Sequence, residues 1–187
     1  MKHILHIYIK RTIYNSLCLP HLNYGILLWG SKCNRIFKTQ KRIIRTITCS
    51  KYNDHTEPLF KSLNLLKVGD IYTLSMYKFY YKYVHNKLPA TLLELSFITV
   101  ESTHDHNTRQ QSNLIIPKIN HVFAEQSLRY VIATLMNNSP ENVKGKIHTH
   151  SFIGYSYYVK KHLLSTYTVN CLLQNCYICS NRVCWVF

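Results

Sequence analysis

The chain has 187 residues, of which 47% are hydrophobic; that is enough for one domain or two small ones with a packed core, and it excludes general disorder. Its 23 Lys and Arg face only 8 Asp and Glu, a net charge of +15, with no acid before Asp54 and none after Glu141. A chain with so few anions of its own calls for an external polyanion, nucleic acid first and an anionic membrane surface second.

Residues 2–19 carry helix-compatible spacing through Ile4, Ile7, Tyr8 and Arg11. Met1-Lys2-His3-Ile4-Leu5 opens like an export signal, but Lys10 and Arg11 cut the apolar stretch short and no small-residue cleavage site follows, so the expected location is nuclear or cytoplasmic and not secreted. Pro20 and Gly25 punctuate the next stretch, and the apolar, aromatic run from His21 to Gly30 is expected to be buried. No apolar run comes near the roughly 20 residues that a bilayer demands. Residues 32–48 are the best-patterned segment. At a step of about 100° per residue, Ile36, Gln40, Ile43, Ile44 and Ile47 share one side, and Arg35, Lys38, Lys41, Arg42 and Arg45 share the other. The pattern predicts an amphipathic helix whose whole polar face is cationic. The pairs Lys38/Arg42 and Lys41/Arg45 repel at i,i+4 by about 0.2–0.5 kcal/mol each, and no interleaved Glu offsets them.

After a turn at Asn53-Asp54, Thr56 is a candidate N-cap for a short helix starting at Glu57-Pro58. A longer helix is predicted from about Val68 to His85, with Tyr72, Met76, Phe79, Tyr80 and Tyr83 along one side and Lys78 and Lys82 as its solvated face. A polar loop follows over 96–112. Leu114-Ile115-Ile116 is a short strand candidate, and helices are expected over Phe123–Met136 and Ser151–Thr166. The fold class expected is mainly α, a helical bundle-like fragment with at most one short β hairpin. Four segments are drawn: a helical region 1–95, the loop 96–112, a second helical region 113–170 and a cysteine-rich tail 171–187.

Several chemistries lack their residues. A two-metal polymerase site needs clustered carboxylates, yet Asp54, Asp70 and Asp105 are isolated and no Asp-Asp pair occurs. The five glycines form neither a phosphate-binding loop nor a nucleophile elbow. The chain is therefore expected to carry no reaction and no resident cofactor. One metal question is open at the C-terminus: Cys171, Cys176, Cys179 and Cys184 are spaced C-x4-C-x2-C-x4-C. Four such thiolates can hold zinc, but structural zinc sites use two C-x2-C-like knuckles and this stretch has one, which leaves reduced thiols as the other reading. His104-Asp105-His106 and His148-Thr149-His150 are weaker metal candidates. The Tyr77–Tyr83 run mixes aromatics with lysines; bases stack on such rings, and a helix core uses them too.

The stretch Tyr14-Asn-Ser-Leu-Cys-Leu-Pro-His-Leu-Asn-Tyr-Gly-Ile-Leu-Leu-Trp-Gly30 resembles a segment that follows the catalytic core in non-LTR, LINE/jockey-type retrotransposon reverse transcriptases. Gln40-Lys-Arg-Ile-Ile-Arg-Thr-Ile47 resembles the basic helix that comes next there, and His55–Leu63, His106–Arg109 and Asn138–Pro140 follow in the same order, over about residues 10–180. The resemblance implies the thumb-like region (1–95) and C-terminal extension of an RNA-directed DNA polymerase. It also implies missing palm and fingers domains as partners and magnesium as the metal of the intact enzyme. No catalytic residue carries over. The function expected is non-specific grip on the backbone of an RNA or DNA duplex or hybrid through Arg35, Lys38, Lys41, Arg42 and Arg45, a task for cations on a rigid helix rather than for base-edge readers. The alternatives are an inactive helical remnant of a degenerate mobile element and a zinc-dependent interaction tail.

Overall fold

The computed structural model describes residues 5–103 and 111–168, and over these the chain is mainly helical, with no sheet. It forms two compact units, one from 1–72 with 160–187 and one from 73–159. These boundaries fall inside helices, after Tyr72 and after Val159.

The first unit begins with α1 (Ile7–Ile13), a π-helical turn (Tyr14–Cys18) and α2 (Leu19–Asn23). Pro20 does not end this run. It lacks an N–H to give back to the preceding turn, and the π register, in which the Leu19 N–H donates to the Tyr14 carbonyl, widens the helix just ahead of it. The Ser16 hydroxyl donates to the carbonyl of Thr12 at 2.9 Å. Gly25, at φ +58, turns the chain into α3 (Ile26–Trp29). The burial expected for His21–Gly30 is corrected here. Ile26 and Gly30 are buried, but Tyr24 and Leu28 are each 85% exposed. A short turn of helix has room for one inward side chain, so the rest of an apolar run must point out. Gly30 is needed for close approach: a Cβ there would sit 2.2 Å from Tyr72 Cδ2.

Helix α4 (Asn34–Ile47) follows, then α5 (Glu57–Ser62) and the first turn of α6 (Val68–Val84). Thr56 stands at the start of α5 but makes no side-chain cap; it is buried there instead. Residues in the left-handed region end three of these helices, Cys49 after α4, Asn64 after α5 and Asn86 after α6. Each is followed by an N–H that reaches back five residues, Ser50 to Arg45, Leu65 to Phe60 and Lys87 to Lys82, the Schellman pattern. The core of this unit contains Tyr14, Ile26, Ile44, Ile47, Phe60, Leu63 and Val68, and with them the fully buried side chain of Gln40. Its Nε2 donates to Tyr14 Oη and to the Leu66 carbonyl, both at 2.9 Å, and its Oε1 accepts from the Val68 N–H at 2.8 Å. That last bond satisfies one of the orphan N–H groups at the start of α6.

A second polar cluster fastens the chain after α11 (Phe152–Ser165). Tyr167 Oη donates to the Asp70 carboxylate and accepts from the Lys67 N–H, Lys61 Nζ donates to the Tyr167 carbonyl, and Thr168 donates to Glu57. Burial pushes the Asp70 carboxyl up, against the pull of Tyr167 and Lys67.

The second unit holds the rest of α6, α7 (Ala90–Leu93), α8 (Leu128–Asn138), α9 (Glu141–Lys144), α10 (Lys146–Thr149) and most of α11. Ser127 caps α8 by accepting from the Tyr130 N–H. The expected helix 123–136 is therefore a 3-10 turn (Val122–Gln126) followed by α8. Leu114 makes only an isolated antiparallel bridge with Thr99, and the Asn137 side-chain amide holds both the N–H and the carbonyl of Leu114 at 2.8 Å. The one-sided apolar face expected for α6 is corrected as well: Met76, Tyr77, Phe79 and Tyr81 are buried around most of its circumference, as befits a helix lodged inside a core.

Two outcomes are expected. Gln40→Leu strands the Tyr14 hydroxyl, the Leu66 carbonyl and the Val68 N–H, and should lower unfolding free energy by about 3–5 kcal/mol in urea titration. Burial holds the hydroxyls of Tyr14, Tyr77, Tyr155 and Tyr167 neutral, with pKa values above the ordinary tyrosine range. A raised folded pKa gives stability that is complete below the unfolded value of about 10 and is lost as pH climbs above it. Lys160, lowered by burial and by Arg11, works in the other direction but is one group against four. Helical circular dichroism should therefore collapse above about pH 10, together with a late step in tyrosinate absorbance.

Candidate nucleic-acid interface

Helix α4 has the phasing that its sequence dictates. Gln40, Ile44 and Ile47 are buried and Ile36 and Ile43 half-buried, while Arg35, Lys38 and Arg42 are exposed. The five cations span an arc of about 120° by the helical step. Inside that arc the residues divide into two kinds.

Arg35, Lys38 and Arg42 extend into solvent, and no described residue forms a salt bridge with them. Lys41 and Arg45 are half-buried and engaged. The Lys41 ammonium lies 4.2 Å from the centre of the Phe37 ring, one turn back on the same helix, a cation–π contact that leaves its N–H donors available. Arg45 donates through Nε and Nη2 to the Asp54 carbonyl, at 3.1 and 2.9 Å, and its guanidinium stands 5.7 Å from the Tyr52 ring. The Asp54 carboxylate in turn accepts from the Lys51 N–H at 2.8 Å. Arg45 thus holds the turn that follows α4, and its fork is spent on a carbonyl.

The electrostatics of the helix are one-sided. Its first turn has no acid and its N-cap position, Cys33, makes no side-chain cap bond, so Arg35 sits at the positive end of the helix dipole. Lys38/Arg42 and Lys41/Arg45 repel along the face. Glu57 offers some relief: burial works against its charge, but hydrogen bonds from Lys67 and Thr168 and the charges of Lys67 and Lys41 hold its carboxyl below the ordinary range. Its ion pair is with Lys67, not with α4.

The other candidates fall as follows. Cys171, Cys176, Cys179 and Cys184 lie outside the described residues, as do His104, Asp105 and His106. His148 and His150 are described, and no group of three or more potential metal ligands occurs among the described residues. Cys18 and Cys33 carry free thiols. The tyrosines of α6 use their hydroxyls on the protein itself. Ser139 donates to the Leu135 carbonyl and so receives the Tyr77 hydroxyl at 2.6 Å, Tyr81 donates to the His150 carbonyl at 2.8 Å, and Tyr83 accepts from the Phe97 N–H at 3.0 Å. Tyr77 and Tyr81 are buried and offer no face to a base. Sequence reasoning missed Gln40 and Tyr14 as a pair. The signal was a glutamine on the isoleucine side of α4, where a polar side chain has to find buried partners.

No helix among the described residues is long and apolar enough to cross a membrane. No protein family, curated protein or solved structure matches the chain.

The division of the stripe is measurable. Arg45→Ala should destabilise the fold by about 1–3 kcal/mol, because it strands a turn carbonyl, whereas Arg35→Ala and Lys38→Ala should each change stability by no more than about 0.5 kcal/mol. Thermal unfolding of the three variants checks this.

Proposed function

We propose that this chain is a nucleic-acid-binding fragment that grips the phosphate backbone of an RNA or DNA duplex or hybrid without reading its sequence. In this reading it is the thumb-like and downstream region of a non-LTR retrotransposon reverse transcriptase. It has no catalytic site of its own, and palm and fingers domains are its further partners. The observation that carries the reading is the exposed stripe of Arg35, Lys38 and Arg42, continued by Lys41, on a helix with no ion pair among the described residues. Phosphates spaced along a backbone neutralise such a stripe, and contacts from a rigid helix position a duplex without specifying bases. Arg45 is a positioning residue in this reading, since it holds the turn beside the stripe rather than a phosphate.

The exposed apolar side chains Tyr8, Leu17, Tyr24 and Leu28 favour a second reading, an inactive helical remnant whose apolar surface belongs against a domain it no longer has. The two readings part on binding. With four phosphates contacted, log K for a mixed-sequence duplex should fall against log salt with a slope of about −3.6, whatever the sequence. The triple variant Arg35→Glu, Lys38→Glu, Arg42→Glu should keep its helical circular dichroism and lose binding by at least about a hundredfold. Equal binding by that variant rejects the site, and absence of any salt-dependent binding by the wild-type chain leaves the remnant reading.

A further inference from the structure

The chain leaving α4 carries an exposed aromatic ring in polar and cationic surroundings. Tyr52 is 75% exposed. Its chain neighbours Lys51 and Asn53 are exposed as well, and neither is apolar. The exposed tyrosines earlier in the chain stand differently. Ile7 and Ile9, both exposed, flank Tyr8, and exposed Leu28 lies one helical turn beyond Tyr24. Those rings belong to apolar surface, the kind that another protein domain covers. Tyr52 has no such surface around it in the chain.

The turn that bears Tyr52 is closed at both ends. The Asp54 N–H donates to the Lys51 carbonyl at 3.1 Å, and the Lys51 N–H donates to the Asp54 carboxylate at 2.8 Å. Arg45 adds its two bonds to the Asp54 carbonyl. Tyr52 and Asn53 are the middle residues of this turn, and the Tyr52 ring stands 5.7 Å from the Arg45 guanidinium, beside the last cation of the stripe. A ring presented on a fixed turn has little conformational freedom left to lose when something stacks on it.

The chemistry beside the ring says what stacks there. Phosphates drawn to Arg35, Lys38 and Arg42 bring bases with them. A base inside a duplex has both faces covered by its neighbours, so the base that can meet an aromatic ring is an unpaired one. Such stacking is tolerant of sequence, as is a grip on the backbone.

We propose that Tyr52 is a base-stacking site for nucleic acid at a junction between duplex and single strand: the stripe holds the duplex, and the Tyr52 ring takes an unpaired base of the extension at its end. This inference rests on the backbone grip proposed above and adds to it the kind of nucleic acid preferred. Arg45 is the positioning residue, because it fixes the turn and stands beside the ring.

Fluorescence anisotropy of the full chain tests this with three probes: a blunt mixed-sequence duplex, the same duplex with a short single-stranded overhang, and the same overhang built of abasic sites. The wild-type chain should bind the overhang that has bases about tenfold more tightly than the abasic one. Tyr52→Leu should lose that preference, keep the wild-type affinity for the blunt duplex and keep the wild-type salt slope on each probe, since Tyr52 meets no phosphate. Tyr52→Phe should retain the preference, because the ring rather than the hydroxyl stacks. Equal binding of the two overhangs by the wild-type chain, an undiminished preference in Tyr52→Leu, or its loss in Tyr52→Phe would overturn the inference and leave the backbone grip standing. Absence of salt-dependent binding to any of the three probes would overturn both.

Discussion

One buried amide sets the rotation of the cationic helix. Gln40 has the isoleucines of α4 on either side and makes three hydrogen bonds, to a π-helical turn through Tyr14 and to the connection between α5 and α6 through Leu66 and Val68. Apolar packing by itself is forgiving about rotation, because isoleucines at neighbouring positions can exchange places against a wall at modest cost. A buried amide is not, since each of its polar atoms must meet a partner or incur the cost of desolvation. Turning α4 by one residue would break all three bonds. The outward direction of Arg35, Lys38 and Arg42 follows from where Gln40 is held.

The same constraint explains features that are local irregularities when taken singly. Tyr14 is fully buried and begins the π turn, and the wider register carries the helix across Pro20. Gly30 lies flat against the Tyr72 ring, where no side chain would fit. Tyr167 and Thr168 bring the chain after α11 back to Glu57, Lys61, Lys67 and Asp70. Glu57 and Asp70, two of the three acids in the first unit, are engaged there in fastening one segment to another. The α4 stripe is left with no ion pair among the described residues.

In the second unit the tyrosines take the part that Gln40 takes in the first. Tyr77, Tyr81 and Tyr83 bury their rings along α6 and place their hydroxyls on Ser139, the His150 carbonyl and the Phe97 N–H. Tyrosine suits this duty because one side chain supplies both apolar area and a polar tip. Tyr155 is the exception. It stacks on Tyr81 with ring centres 5.2 Å apart, and its hydroxyl is buried with no hydrogen-bond partner among the described residues, so its value to the core lies in its ring.

The helices of this protein were legible in the sequence wherever the apolar period was long. Residues 32–48 gave α4 within two residues of its ends, and 68–85 gave α6 within one. The opposition of isoleucines and cations in α4 was equally legible, because a 3.6-residue repeat needs no knowledge of the rest of the chain. Short elements such as α7, α9 and α10 were not, since a four-residue helix has no period to detect. Nor could periodicity divide the stripe. Arg45 and Arg42 look alike in a helical projection, and only the return of the chain through Asp54 makes one a brace for a turn and leaves the other exposed to solvent. Sequence by itself determined that a cationic face would exist. Tertiary structure decided which of its charges are committed to the protein, because hydrogen bonds between residues far apart along the chain depend on where the backbone returns.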